Sequence, residues 1–312
     1  MGEKGVFGGP SPGRGRLPGG IVAAAPEQKH KAPPRAAGDL EGSSSSSAAM
    51  SLQRRRACLP PALVLLFFFL PFPGLCYNTT DAHWHPATAT WYGSAEGDGS
   101  DGGACGYGTL VDVRPLRARV GAVSPVLFKD GEGCGACYKV KCVMDQHVCS
   151  RRPVTIIVTD ECPGGYCANG RTHFDLSGAA FGRMAVSGYG SELRNRGEIP
   201  VFFRRTPCKY RGKNIAFRVN EGSTEYWLSL LVEFEGGDGD VGSMHIKQSG
   251  AEEWLEMKHL WGANWAFIGG PLRGPFSVKL TSLSTQQTLS ARDVIPRSWS
   301  PKATYTSRLN FN

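Results

Sequence analysis

The chain has 312 residues, of which 41% are hydrophobic and 20% are charged, with 41 glycines and 21 prolines. This many turn residues predict short elements and exclude a long-helix or coiled-coil protein. The formal net charge is +8, but residues 1–76 hold nine Lys and Arg against four Asp and Glu, and residues 77–312 hold 26 against 23. The difference, three positive charges over residues 77–312, is too small for a nucleic-acid-binding protein.

The first 76 residues are expected to be removed before the protein acts. Residues 1–49 have no periodic apolar pattern and predict a disordered extension, or else sequence from an upstream translation start that the mature protein does not contain. Within residues 50–76, three arginines precede an apolar run from Leu59 to Phe72, and small and turn residues follow. This order is typical of a secretory signal peptide. The run is short and broken by proline, which disfavours a membrane anchor, so we expect a secreted, extracellular protein without a transmembrane segment.

Cysteine usage agrees with an oxidising compartment. Outside the signal region the cysteines are even in number and crowded between residues 105 and 208, which predicts disulfides: Cys105, Cys134, Cys137, Cys142, Cys149, Cys162, Cys167 and Cys208. Cys134 and Cys137 also have the spacing of a zinc-ligand pair, but such a site needs four ligands and reduced thiols, so we expect no metal. Asn78 begins an N-glycosylation sequon.

The rest of the chain predicts two β-rich domains, over residues 77–208 and 214–312, with a linker at 209–213. Short runs of β-branched and aromatic residues, bounded by Gly, Pro or Asp, predict strands: Tyr138–Val143, Val154–Thr159, Val201–Arg205, Ile215–Asn220, Tyr226–Phe234, Val241–Lys247, Trp265–Ile268 and Phe276–Ser282. A single stretch, Asp175–Ala185, has a helical pattern.

Two carboxylates of the first domain stand in motifs that could carry chemistry. Asp160 ends a β-branched run, and Asp175 lies in His173-Phe174-Asp175. Together with the aromatic pair Trp91-Tyr92, two such acids fit polysaccharide chemistry. A simpler interpretation is that Asp175 only caps the predicted helix. The glycine-rich segment Gly102–Gly108 lacks the pattern of a phosphate-binding loop, and a tight loop anchored by a disulfide is the expectation.

These motifs, in this order, resemble the β-expansin branch of the plant expansins over residues 88–305. The segments that carry the resemblance are Thr90-Trp91-Tyr92-Gly93, Gly102–Gly108, six of the cysteines, His173-Phe174-Asp175, Gly237-Asp238-Gly239-Asp240, Trp261-Gly262-Ala263-Asn264-Trp265 and Asp293-Val294-Ile295-Pro296. The resemblance implies an all-β chain: a double-psi six-stranded β-barrel like that of family-45 glycoside hydrolases, then an immunoglobulin-like β-sandwich that binds carbohydrate. It also implies the pairs Cys105–Cys134, Cys137–Cys208 and Cys142–Cys149, leaving Cys162–Cys167.

The resemblance bears on whether the protein is an enzyme. A hydrolase of this type needs an acid and a base, and Asp175 matches the acid. Where the related hydrolases carry the base, this chain has Gly93-Ser94-Ala95, and Glu96 and Asp98 follow in a glycine-rich loop. We therefore expect a monomeric wall-loosening protein that uses no cofactor. It would bind glucuronoarabinoxylan and cellulose in the cell wall without hydrolysis. The alternative is a weak endoglycanase with Asp175 as general acid.

The aromatic residues predict where a glycan would lie, because flat sugar faces stack on aromatic rings. The resemblance places Trp227 and Trp261 on the surface, whereas Trp254 and Trp265 are expected in the core. The full set of expected polysaccharide-binding residues is Thr90, Trp91, Tyr92, Asp160, His173, Asp175, Trp227 and Trp261. Cations near the domain boundary are expected to attract acidic xylans or simply to form a solvated surface: Arg204, Arg205, Lys209, Arg211, Lys213 and Arg218.

Overall fold

A computed structural model of the chain describes residues 82–98 and 101–311. The expected extension, signal peptide and glycosylation site at Asn78 lie outside these residues. Most of the regular secondary structure in the described part is strand, and the strands form a barrel followed by a sandwich within one compact unit.

Six strands form a closed barrel in the order β1-β5-β2-β4-β3-β6. β1 runs parallel to β5 and β2 parallel to β4, and the other neighbours are antiparallel. The strands are β1 (His85–Tyr92), β2 (Val120–Val123), β3 (Cys137–Cys142), β4 (Val154–Glu161), β5 (His173–Ser177) and β6 (Ile199–Arg205). Short helices pack beside them: α1 (Pro125–Phe128), α2 (Gly178–Gly182) and α3 (Gly190–Arg194).

The barrel is held by an apolar interior and by disulfides. Phe174 and Phe181 are fully buried, and Tyr138 meets Phe174 edge-on with ring centroids 5.6 Å apart. The four disulfides are the three pairs that the family resemblance implies and the fourth pair that it leaves over: Cys105–Cys134, Cys137–Cys208, Cys142–Cys149 and Cys162–Cys167. Cross-links between loops and strands restrict the unfolded chain, which favours the folded state of a domain with a modest core.

The second domain is an antiparallel sandwich in which one strand belongs to both layers. The first half of β10 pairs with β9 and its second half pairs with β11, so the strand order β13-β12-β9-β10-β11-β8-β7-β14 folds into two sheets. Phe217, Leu230 and Phe276 are fully buried between the sheets. The strands are β7 (Ala216–Val219), β8 (Trp227–Glu233), β9 (Val241–Gln248), β10 (Leu255–Trp261), β11 (Asn264–Ile268), β12 (Phe276–Ser282), β13 (Thr288–Ile295) and β14 (Thr304–Thr306).

The predicted all-β chain, a six-stranded barrel followed by a sandwich, is confirmed, and each predicted run overlaps a strand. The predicted helix Asp175–Ala185 is wrong at its start. Residues up to Ser177 belong to β5, and the helix is only Gly178–Gly182. The capping interpretation of Asp175 is therefore also wrong, because the hydroxyl of Ser177 accepts the hydrogen bond from the Ala180 N–H.

Of the two tryptophans expected in the core, only one lies there. Trp265 is 7% exposed in the sandwich interior. Trp254 is half-buried on the outside, with the ammonium groups of Lys247 and Lys279 at 5.2 and 4.9 Å from its ring centroid. The expectation for Trp254 is wrong because the residue precedes β10 with its side chain on the outer face, where the two lysine ammonium groups lie over the ring.

The barrel and the sandwich are joined by backbone and charge contacts. Cys208 exchanges two backbone hydrogen bonds with Gly237, and the guanidinium of Arg205 donates to a carboxylate oxygen of Asp240 at 2.7 Å. Gly135 and Gly239 approach so closely that a Cβ on Gly135 would lie 2.3 Å from the Gly239 carbonyl oxygen. These contacts fix the position of the sandwich against the barrel.

Candidate functional site

The two carboxylates singled out in the sequence lie in one row across the barrel wall. Thr90 of β1 is in register with Asp175 of β5, Asp175 is in register with Ala122 of β2, and Ala122 is in register with Asp160 of β4. Residues in register on neighbouring strands point to the same face of a sheet. The Cα atoms of Asp160 and Asp175 are therefore two strand spacings, about 10 Å, apart on one surface.

A chain of hydrogen bonds supports the Asp175 end of the row. The hydroxyl of Thr90 donates to Asp175 Oδ1 at 2.8 Å and lies 2.8 Å from His173 Nε2. Because that hydroxyl has one proton, which goes to Asp175, it must accept the proton of Nε2. The other ring nitrogen, Nδ1, then accepts from Thr88 Oγ1 at 2.7 Å. In the neutral ring, which the lowered pKa of His173 favours, the proton is therefore on Nε2.

His173 is an internal support of the site rather than a surface contact. Its side chain is fully buried, and burial lowers its pKa to about 4, with a further lowering by Arg171 and an opposing effect of Glu198. Arg171 donates to Glu198 at 2.5 Å and to Thr88 at 3.4 Å. Thr88, Arg171 and Glu198 were not predicted. Side chains alternate along β1, which puts Thr88 and Thr90 on one face, and this alternation could have identified Thr88 as a site residue.

Asp175 is half-buried and holds a proton more readily than an ordinary aspartate. Burial raises its pKa, the nearby charge of Asp160 adds to the rise, and the hydrogen bond from Thr90 opposes it. A carboxyl group of this kind can donate a hydrogen bond to a sugar oxygen or accept one from a sugar hydroxyl. It also has the property that a general acid requires.

Asp160 ties the row to the glycine-rich loop. Its Oδ1 accepts from the backbone N–H of Ala104 at 2.6 Å and from that of Glu161 at 2.8 Å. A Cβ at Gly103 would lie 2.4 Å from the carbonyl oxygen of Thr159, so only glycine lets the loop pack this closely on β4. The carboxylate therefore positions the loop and keeps its second oxygen for other partners.

The same loop supports an aromatic residue of the sandwich. Trp261 is 52% exposed, and a Cβ at Gly106 would lie 2.8 Å from two carbons of its ring, so the indole packs directly on Gly106. The adjacent Ala263 N–H donates to the carbonyl oxygen of Cys105 at 3.0 Å. The exposed indole of Trp261 thus continues the surface that begins at Asp160.

Trp227 lies on the same outer face of the sandwich. Leu228 and Leu230 point into the core, so the alternation of β8 turns Trp227 outward. It is half-buried and pairs with Ile268 of β11, which is 70% exposed. Strand spacings place the Cα atoms of Trp227 and Trp261 about 17 Å apart. This face is therefore apolar and partly aromatic, as a sugar-stacking surface requires.

On the barrel, Trp91 and Tyr92 are both half-buried. The indole N–H of Trp91 donates to the carbonyl oxygen of Arg194 at 3.0 Å, which fixes its ring against α3. Tyr92 follows Thr90 on the same face of β1. Asp98, one of the two acids after this motif, lies 3.7 Å from the guanidinium of Arg117.

Within the part of the chain that the structure describes, the side chains form no metal site and no helix could cross a membrane. No group of three or more His, Cys, Asp or Glu side chains there is arranged to hold a metal ion. None of the described helices combines the length and the apolarity that a membrane crossing demands.

Comparisons with known proteins agree with this architecture. Residues 215–296 match the family model for the expansin C-terminal domain, and residues 120–203 match a double-psi barrel model described as lytic transglycolase. The apo crystal structure of an expansin from Clavibacter michiganensis shares the fold with a TM-score of 0.56 at 23% identity, over 74% of this chain and 98% of that one. A mutant of that protein, 22% identical and also with a TM-score of 0.56, was crystallised with cellohexaose.

Similarity to plant proteins is much higher. Expansin-B16 of Oryza sativa subsp. japonica is 73% identical over 238 residues, which are 76% of this chain and 87% of the relative. Expansin-B3 of Arabidopsis thaliana is 72% identical over 235 residues, which are 75% and 88% of the two chains. Matches at this identity over most of each relative show that the chain belongs to the β-expansin family of plants.

Proposed function

We propose that this protein is secreted into the plant cell wall, where it binds wall polysaccharides and loosens their non-covalent contacts without hydrolysing them. Cellulose and glucuronoarabinoxylan are the proposed partners. The protein acts as a monomer and without a cofactor. Membership of the expansin family supports the assignment to the wall.

The observation that carries the proposal is the continuity between the carboxylate row and the exposed tryptophan. Asp160 holds Ala104 by a 2.6 Å hydrogen bond, and two residues later Gly106 supports the ring of Trp261. A glycan chain could therefore hydrogen-bond to Asp160 and Asp175 while a further sugar ring stacks on Trp261 and, beyond it, Trp227. Thr90 and His173 orient Asp175, and Tyr92 extends the surface on the barrel. Trp91, on the other face of β1, supports this surface from beneath through its hydrogen bond to Arg194.

The absence of hydrolysis is proposed from the lack of a placed base. Glycoside hydrolysis needs a second carboxylate that activates water or attacks the sugar. Asp98 is turned toward Arg117, and Asp160 uses one oxygen for two backbone N–H groups. The alternative, a weak endoglycanase, is favoured by the raised pKa of Asp175, which fits a general acid.

Binding and chemistry are tested separately. For binding, Trp261→Ala is compared with Trp254→Ala, a matched loss of a half-exposed indole on the other sheet of the sandwich. Cellohexaose and insoluble wall glycan are the probes. Loss of one stacked ring costs about 1–3 kcal/mol by analogy with base–aromatic stacking, so Trp261→Ala should weaken binding several-fold or more. The exposed aromatic surface formed by Trp261 and Trp227 is hereafter the aromatic platform. Equal binding by both variants and the wild type would show that this platform does not bind glycan.

For chemistry, the wild-type protein is incubated with isolated walls while extension under load and newly formed reducing ends are both measured. We expect extension without reducing ends. Reducing ends that accumulate in proportion to extension would support the endoglycanase instead.

A further inference from the structure

A groove on the barrel surface is lined by nine basic side chains and no acidic one. Its volume is about 940 Å³. Its cations are Arg114, Arg117, Arg119, Lys139, Arg183, Arg204, Arg205, Lys209 and Arg211. Nine of the 26 Lys and Arg residues in 77–312 thus line one groove, without any of the 23 Asp and Glu residues of the same range.

The barrel gathers these cations from separate parts of the chain. Thr155 of β4, Lys139 of β3 and Arg204 of β6 are in register across three strands and form the floor. Arg114–Arg119, just before β2, form one side, and Pro207–Arg211, just after β6, form the other. Thr155 and Asp160 are five residues apart on β4, about 17 Å. The groove is therefore separate from the carboxylate row.

Most of this positive charge has no counter-ion among the residues that the structure describes. Among the residues that the structure describes, the ion pairs of the lining are Arg117 with Asp98, at 3.7 Å on the exposed surface, and Arg205 with Asp240, at 2.7 Å. Arg114, Lys139 and Lys209 form no ion pair with any described residue. Like charges held this close repel one another, and an anionic ligand would relieve that repulsion.

We propose that this groove, hereafter the basic groove, binds the carboxylates of a uronate-bearing polysaccharide and is a second glycan site beside the aromatic platform. Seven of the nine cations are arginines, whose planar fork matches a carboxylate in two hydrogen bonds. The hydroxyls of Thr155 and Thr206 also line the groove, and they can bond to sugar hydroxyls. A polyuronate presents both groups along its length.

The shape and lining favour a polysaccharide over other polyanions. The surface is concave, and its apolar lining residues are only Ala82, Pro115 and Pro207, so nothing in it could insert into a lipid layer. No aromatic side chain lines it, so it lacks the stacking platform typical of single-stranded nucleic-acid sites. The choice of a wall polysaccharide also rests on the proposed function.

Two sites on one protein give it a way to contact two different polymers. The platform would hold a neutral chain while the basic groove holds an acidic one. The protein would then bind where the neutral polymer and the acidic polymer contact each other.

The test uses purified full-length secreted protein, de-esterified polygalacturonate as the acidic probe, and the methyl-esterified form of the same polymer as its uncharged match. The groove variant is Arg114→Gln/Lys209→Gln/Arg211→Gln, which changes three exposed side chains. The control variant, Lys258→Gln/Arg273→Gln/Arg297→Gln, removes the same charge from exposed positions on the sandwich. Affinity is measured at low and high salt, with thermal unfolding as a check on folding.

The wild type should bind polygalacturonate at low salt, with weaker binding at high salt and little binding to the ester. The groove variant should lose about tenfold or more in affinity, because charge-assisted hydrogen bonds are lost. The control variant and Trp261→Ala should bind polygalacturonate like the wild type. Failure of the platform alone would show as normal polygalacturonate binding with no binding of cellohexaose.

Three results would overturn the proposal. The first is an equal loss in the groove and control variants, which would mean that net charge alone governs binding. The second is unchanged binding by a folded groove variant. The third is groove-dependent binding to anionic phospholipid vesicles or to DNA that is tighter than binding to polygalacturonate, which would assign the groove to another class of partner.

Discussion

The indole of Trp261, in the sandwich, lies against the backbone of Gly106, in the barrel, with no room for a side chain between them. A Cβ at Gly106 would meet the Trp261 ring at 2.8 Å and the Asn264 amide nitrogen at 2.7 Å. Gly106 also has φ of +83°, in the left-handed region that glycine adopts without strain. The exposure and angle of the tryptophan therefore depend on a glycine in the other domain.

We predict that Gly106→Ala displaces Trp261 and weakens binding to insoluble wall glycan several-fold. Gly108→Ala is the matched control, because Gly108 is in the same loop with φ of +53° but has no atom within 4 Å of an added Cβ. Both variants should carry the cost of a left-handed alanine, about 1–2 kcal/mol. Calorimetric unfolding and glycan pull-down measure the two effects. Equal binding by the two variants would show that Trp261 does not need Gly106.

The sequence could predict much of this site because its residues follow one another along single strands. Thr90, Trp91 and Tyr92 lie on β1, and His173 and Asp175 alternate with Phe174 and Leu176 on β5. An Ala-rich, Met-containing stretch with a helical pattern follows this alternation directly. The pattern extends the predicted helix back over the end of β5, from Asp175 to Ser177.

Other features depend on contacts between distant segments. The basic groove combines four of the cations predicted near the domain boundary with five from distant segments, and only the fold brings the two sets together. The position of Trp254 depends on lysines from β9 and β12, and the Gly106 contact depends on how the sandwich sits against the barrel. Long-range placement of this kind has no local sequence signal.

A buried acid lies where the two domains meet. Glu235 is 5% exposed, and neither of its carboxylate oxygens has a hydrogen-bond partner among the described residues. It borders a cavity of about 20 Å³, which is enough space for one water molecule. Burial raises its pKa well above the usual range, Asp240 and Asp238 add to the rise, and Arg205 opposes it. The buried phenols Tyr107 and Tyr210 also face it.

We predict that Glu235 makes the protein more stable as the pH falls from 7 toward 4.5. Between the ordinary pKa of about 4.5 and the raised pKa, the folded state binds the proton and the unfolded state does not, so stability is lost as pH rises. Glu235→Gln imitates the protonated form and should flatten this part of the profile. Denaturant unfolding at several pH values measures it. The exposed Glu252→Gln is the control, and a Glu235→Gln profile parallel to the wild type would contradict the prediction.

His173 should act in the opposite direction. Its pKa is lowered to about 4 in the folded protein from an ordinary value of 6.5, so the unfolded state takes up the proton first as pH falls. Its contribution to stability is present above pH 6.5 and is lost between pH 6.5 and about 4.

His173→Gln should therefore be less stable than the wild type at pH 7, because the hydrogen bonds to Thr88 and Thr90 are altered, but it should lose less on acidification. The exposed His147→Gln should follow the wild-type curve. A wild-type curve and a His173→Gln curve that stay parallel from pH 7 to 4 would mean that His173 titrates normally in the fold.

Asp175→Asn separates the two candidate activities. Asn keeps the shape and can still accept from Thr90, so the melting temperature at pH 7 should stay the same or rise slightly, since a buried charge is removed. If Asp175 only binds glycan, replacing the carboxylate weakens its hydrogen bonds to sugar, because bonds to an ionised acceptor are roughly twice as strong as neutral ones. Wall extension should then fall while the wild type releases no reducing ends. If Asp175 is a general acid, the wild type releases reducing ends, and the variant releases them about 10²–10⁴-fold more slowly.

Asp98→Asn, which removes an exposed carboxylate paired with Arg117, is the control and should leave extension and sugar release unchanged. We expect reduced extension, no sugar release by either protein and an unchanged melting temperature. Wild-type sugar release that disappears in Asp175→Asn but persists in Asp98→Asn would establish hydrolysis instead.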